Sequence, residues 1–279
     1  MRRNAIYYIR ASSFCNKDIL GPKFFKTQLD TLDTDEFLTA ICAIRHKEVT
    51  NKFFINYDHA KHQFKDSYKY ESILRLNLKD RFILTAEYLL HYDPNEPLYM
   101  GYDPGNFQSL IVAQKKDYGR RLDIIKEFFA FLPKDYNDLV AEVHQFFGSA
   151  AVNKTIYLHP DRAGNKRREE REQITTDSLN LKAALESYGF MVILYNEDAP
   201  TIYHWQQFKL CQMLFGERSP LLPVIRIDEN ECKNLCSAIM ISPLKKTDGK
   251  IELDKSSEKK QQLKNQAGLT TQLPSAMIY

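Results

Sequence analysis

Between Tyr99 and Gln114 two apolar runs are joined by a turn that carries a single acid. Tyr99-Met100-Gly101-Tyr102 ends at Asp103, Pro104-Gly105-Asn106 turns the chain, and Phe107-Gln108-Ser109-Leu110-Ile111-Val112-Ala113-Gln114 follows at once. Proline presets a turn and glycine frees one. The segment therefore reads as strand, turn, strand, with Asp103 held at a sheet end. The same idea recurs downstream: Thr155-Ile156-Tyr157-Leu158 is β-rich and stops at His159-Pro160-Asp161-Arg162-Ala163-Gly164-Asn165. Each acid alone is ordinary turn chemistry. Two acids, each ending its own strand, suit a metal site, because Mg²⁺ and Mn²⁺ take hard carboxylate oxygens. Two such ions about 4 Å apart can activate water and stabilise the leaving oxygen in phosphodiester cleavage. Asp103 and Asp161 are thus the candidate catalytic and metal-binding residues.

Around these acids the pattern predicts strands near 98–102, 107–115 and 121–131, joined by short turns, as in antiparallel hairpins. An amphipathic helix follows from Asp135 to Phe147, with Leu139, Val143, Phe146 and Phe147 on one face. Strands are expected at 155–158, from Met191 to Tyr195 and at Ile225-Arg226-Ile227. Helices are expected at Ser178 to Tyr188, Thr201 to Phe215 and Glu229 to Met240. This order predicts an α/β fold, a mixed β-sheet with helices on both faces. Upstream, Ala5 to Ala11 reads as a strand, Lys17 to Leu32 as helical with a break at Gly21-Pro22, and Asp33 to Glu36 as the start of a helix over Phe37 to Ile44. The stretch from about Asp58 to Asp80 reads as linker or surface, and Lys245 to Lys264 as a charged, mobile segment.

A chain of 279 residues, 43% hydrophobic and 27% charged, has enough apolar content for a full core. A net charge of +3 permits nucleic acid as a partner without arguing for it. Arg162, Lys166, Arg167, Arg168 and Arg171 cluster just after Asp161 and are candidate DNA-backbone contacts. Interleaved Glu169, Glu170 and Glu172 leave a solvated surface as the equal alternative. Five cysteines without a CxxC suggest free thiols in a reducing compartment. Cys232 and Cys236 read as core thiols. His159 reads as structural, and His204 and Trp205 as packing or surface. No apolar run approaches the roughly 18 residues of a membrane span, and no h-region follows Met1. A cytoplasmic location is expected. GxxxxGK[ST], GxSxG and HExxH are all absent.

The later part of the chain resembles the nuclease domain of the large terminase subunit of tailed bacteriophages. The resemblance lies in Met100-Gly101-Tyr102-Asp103-Pro104-Gly105, in Tyr157 to Asn165, and in Lys250 to Lys259. It implies a ribonuclease H-like domain over 96–279 that cuts concatemeric double-stranded DNA with two Mg²⁺ or Mn²⁺ ions. The portal and the small terminase subunit would be its partners, in the cytoplasm of an infected or prophage-carrying host. Residues 1–95 are similar to the end of the packaging ATPase domain, through Phe37 to Ile44 and Phe53-Phe54. Without its Walker motifs the chain should not hydrolyse ATP alone. Asp103 and Asp161 match the first and second metal-binding acids. The third falls at Ser275, within Leu273-Pro274-Ser275-Ala276-Met277-Ile278-Tyr279, and Asp254 is a further candidate ligand. A catalytically impaired DNA-binding or docking remnant, or another ribonuclease H-like nuclease such as a junction resolvase, remain the competing expectations.

Overall fold

The computed structural model describes residues 11–31, 37–43, 52–75, 83–161, 168–170, 173–195, 202–247, 250–259 and 266–279. The strand expected at Ala5 to Ala11 and the helix start at Asp33 to Glu36 lie outside them, save for Ala11. Helix α1 (Lys17–Thr31) is broken at Gly21, whose φ of 70° leaves the helical region. Two short helices follow, α2 (His59–His62) and α3 (Tyr70–Leu74), flanking a two-residue strand, β1 (Gln63–Phe64). The stretch expected as linker thus contributes an edge strand and buries His62.

From residue 98 the chain alternates as the pattern predicts. The strands are β2 (Leu98–Asp103), β3 (Gln108–Lys116), β4 (Arg121–Ala130), β5 (Thr155–Pro160), β6 (Arg168–Glu170), β7 (Gln173–Thr175), β8 (Met191–Leu194), β9 (Val224–Asp228), β10 (Leu244–Thr247) and β11 (Lys250–Leu253). The helices are α4 (Tyr136–Phe147), α5 (Asp177–Ser187), α6 (His204–Gly216), α7 (Lys233–Ile241) and α8 (Gln272–Ile278). Seven strands form one mixed sheet in the order β1-β9-β4-β3-β2-β5-β8. Its ladders are parallel except where β3 pairs with β2 and β4.

Alternation along each strand feeds two cores. On one face Leu98, Met100, Tyr102, Leu110, Val112, Ile156 and Leu158 pack with Leu139, Val143 and Phe147 of α4 and Leu181 and Leu185 of α5. On the other, Ile111, Ala113, Ile124, Ile225 and Ile227 pack with Phe215 of α6, Leu235 and Ile239 of α7, and Leu273 and Ala276 of α8. Phe53 and Phe54 join this second core. The charged stretch from Lys245 is a hairpin, β10 antiparallel to β11, because Leu244 and Leu253 give it an inward edge.

Glu127 anchors α7 on the second face. Its carboxylate accepts from Asn234 N at 3.0 Å, Asn234 Nδ2 at 2.6 Å and Leu235 N at 2.7 Å, satisfying donors at a helix start. Burial raises its pKa, and those three donors oppose the rise. Glu127→Ala is expected to lower unfolding free energy by about 2 kcal/mol or more, since it orphans those donors. Urea denaturation measures this, and Glu127→Gln should recover part of the loss.

Candidate metal centre at the ends of β2 and β5

Strand β2 runs parallel to β5 with Tyr102 opposite Pro160. Asp103 is the last residue of β2 and Asp161 the first after β5, and Asp161 N donates to Tyr102 O at 2.7 Å. Neighbouring strands lie about 4.8 Å apart and paired residues share a face. Tyr102 belongs to the first core, so both acids project to the second face, beneath α8.

The Pro-Gly turn fixes Asp103. Gly105 N donates to its Oδ1 at 3.0 Å, an Asx-type turn. Its main-chain oxygen accepts from Ser109 Oγ at 3.1 Å and from Gln272 Nε2 at 3.3 Å. The side chain is 2% exposed, and Oδ2 is buried without a hydrogen-bond partner. Lys255 Nζ stands 3.6 Å from Oδ2. Burial pushes the Asp103 pKa up to about 6; Asp161 and Glu258 add to the rise, while Lys255 and the Gly105 N–H oppose it. A nearly dry carboxylate needs a compensating cation, and Lys255 is the one the described residues bring to it.

Helix α8 closes the site from above. Gln272 accepts from Asn106 N at 3.3 Å, and the Tyr279 hydroxyl is hydrogen-bonded to Asp161 and Gln207. Ser275 lies three residues after Gln272 and four before Tyr279, so all three share one helix face. That face touches Asp103 at one end and Asp161 at the other. Ser275 is 3% exposed, and its Oγ is buried without a partner.

Asp254 follows β11 and turns inward on its own segment, its Oδ1 accepting from Ser256 N at 2.9 Å. The residues of that segment that reach the site are Lys255 and Glu258. Glu258 takes the Thr271 hydroxyl and offers its main-chain oxygen to Asn106. His204, expected as packing or surface, stands at the start of α6. Its pKa is lowered by burial and by Lys255, with Glu252 and Asp161 opposing the shift, which sets it at the rim of the same centre. His204, Gln207, Lys255 and Tyr279 come from separate elements, and no local pattern in the sequence joins them. Arg162, Lys166 and Arg167 lie outside the described residues, and of Arg168 only the backbone in β6 is described.

Two carboxylates and the buried Ser275 hydroxyl, which makes no hydrogen bond, are hard oxygen donors of the kind a divalent cation takes. Among the described residues no three His, Cys, Asp or Glu side chains gather in metal-binding geometry. The buried thiols of Cys211, Cys232 and Cys236 are free.

No protein-family model and no curated protein matches this sequence. Solved structures do match. The large terminase of a thermophilic bacteriophage, in one crystal form, aligns over 91% of this chain and 52% of its own, at 11% identity and a TM-score of 0.50. A second crystal form of the same terminase aligns over 93% and 53%, at 12% identity and the same TM-score. This chain shares its fold with a large terminase. It spans about half the length of those structures. The nuclease domain of the P22 large terminase is also similar, over 81% of this chain and 96% of its own, at 10% identity and a TM-score of 0.45. The terminase fold agrees with the mixed sheet and the two helix-covered faces expected from the sequence. Among the described residues no helix is long and apolar enough to cross a membrane.

Proposed function

We propose that the chain is a divalent-metal-dependent endonuclease that cuts double-stranded DNA during viral genome packaging. One observation carries this reading: two acids at adjoining parallel strand ends, one of them nearly dry and with an oxygen that makes no hydrogen bond. Asp103 and Asp161 would hold Mg²⁺ or Mn²⁺. A bound ion would supply Lewis acidity at a phosphate oxygen and lower the pKa of its water. Ser275 offers a neutral donor where the two-ion pattern of the family would place a third acid. Lys255 holds positive charge against Asp103. Tyr279 orients Asp161, and Arg162, Lys166, Arg167 and Arg168 would take the DNA backbone. The portal and the small terminase subunit are the proposed partners, in the host cytoplasm. Residues 96–279 would be the nuclease unit, and 1–95 the end of a packaging ATPase domain.

Supercoiled plasmid incubated with the protein and Mn²⁺ should be nicked and linearised, and excess chelator should stop the reaction. The second reading, a docking remnant, is favoured by Ser275 and predicts another outcome: salt-dependent DNA binding with neither cleavage nor calorimetric Mn²⁺ uptake.

A further inference from the structure

The second face of the sheet is covered unevenly. Helix α8 packs over Gly101, and beyond it no helix among the described residues covers the same face of β2, β5 and β8. A cavity of about 340 Å³ lies there, walled on one side by Tyr279 of the acid centre and floored by Tyr99, Tyr157, His159 and Tyr195. This is within the range of small-molecule sites, which start near 300 Å³. The rings are arranged in two rungs. Tyr99 and Tyr157 stack with centroids 5.0 Å apart and planes at 21°, and His159 stacks on Tyr195 at 4.8 Å and 25°. Tyr157 meets Tyr195 edge to face at 5.6 Å. Lys115 Nζ stands 4.2 Å over the Tyr99 ring and brings a cation to the cavity edge.

Composition separates this surface from a helix-packing one. The opposite face of the same three strands carries Leu98, Met100, Ile156, Leu158 and Val192, all buried under helices. The open face carries the rings of Tyr99, Tyr157, His159 and Tyr195 beside the exposed Met191 and Ile193 of β8, and Tyr195 is 45% exposed. Position adds to the chemistry. His159 is two residues before Asp161 and Tyr157 four residues before it, so the two rungs lie about 6.6 Å and about 13 Å from the acids along one face. Flat, sequence-tolerant stacking surfaces beside a cation are how single strands are held.

We propose that this cavity receives an unpaired nucleobase of the strand whose phosphate lies at Asp103 and Asp161. The inference rests on the nuclease reading and sharpens it: the duplex would be locally opened beside the cut.

The test uses the full chain without added metal and a fluorescein-labelled oligothymidylate, read by anisotropy. Base–aromatic stacking is worth about 1–3 kcal/mol per base, so Tyr157→Ala and Tyr195→Ala should each weaken binding about 5- to 150-fold. Tyr157→Phe and Tyr195→Phe keep the ring and should bind within about twofold of wild type. Matching thermal melts show that the Ala variants fold. Equal binding by the Ala variants, equal loss in the Phe variants, or no binding by the wild type overturns the proposal. So does a dimer by light scattering that oligothymidylate does not dissociate, since a second copy would then cover the face. Metal-dependent plasmid cleavage that survives in the Ala variants leaves the nuclease reading standing when the base pocket fails. Loss of that cleavage in the wild type removes the nuclease reading itself.

Discussion

Asp103→Asn and Asp161→Asn are each expected to cut Mn²⁺-dependent plasmid cleavage by about a thousandfold, the scale of losing a main electrostatic element of a site. Their effects on stability should differ, and that difference tests the site's physics apart from its activity. The Asp103 pKa is pushed up to about 6 in the fold, against roughly 3.9 in an unfolded chain. A raised acid pKa means the folded state binds the extra proton. The stability it brings is full below about pH 3.9 and is lost as pH rises through about 6. The shift of about 2 pH units corresponds to some 3 kcal/mol as an order of magnitude. Asn never ionises, so Asp103→Asn should melt above wild type at pH 7.5 and level with it near pH 3.5. Mg²⁺ should raise the wild-type melt and narrow the gap, because a ligand that binds only the native state stabilises it by mass action. Asp103→Asn melting below wild type at pH 7.5 would show that the carboxylate is structural. Cleavage at wild-type rates by both variants would remove the nuclease proposal.

The elements legible in the sequence share one physical property: their pattern is local. Strands β2, β3 and β4 show as apolar runs cut by Pro-Gly and Tyr-Gly turns, and α4 shows its buried stripe of Leu139, Val143, Phe146 and Phe147 within 12 residues. Asp103 and Asp161 are visible because a lone acid at the end of an apolar run is itself a local signal. The residues that complete the centre are not, since Lys255, His204, Gln207 and Tyr279 reach it only through the folding of β11, α6 and α8 around the sheet. The hairpin β10–β11 is hidden by its charge, having few inward apolar residues to set against Lys245, Lys246 and Lys250. The tyrosine rungs are obscured for another reason. Tyr99, Tyr157 and Tyr195 sit on three strands far apart in sequence and meet only through the parallel register of β2, β5 and β8. Gly101 is an intermediate case: its glycine is plain in the Met-Gly-Tyr-Asp motif, yet the reason for it lies in a helix far downstream.

That reason yields a prediction of comparable size. A Cβ built on Gly101 would lie 2.0 Å from the Ala276 carbonyl oxygen and 3.1 Å from its carbon. The obstacle is backbone, so no rotamer change relieves it and α8 must lift. Leu273 and Ala276 are fully buried under that helix, and Gln272 ties it to the turn that sets Asp103. Gly101→Ala is therefore expected to cost about 3 kcal/mol, which in a domain of this size lowers the melting temperature by about 6–12 °C. Gly119→Ala is the control: its φ of 82° strains an added side chain, but nothing lies within 4 Å of the new Cβ, so its cost should stay near 1 kcal/mol. Lifting α8 also draws the Tyr279 hydroxyl from Asp161. Tyr279→Phe removes that contact while leaving the helix seated, and it should weaken cleavage with little change in melting temperature. If Gly101→Ala loses both stability and cleavage while Tyr279→Phe loses only cleavage, the seating of α8 is what couples the fold to the acid pair. A Gly101→Ala protein that melts with the wild type would mean that α8 does not rest on β2.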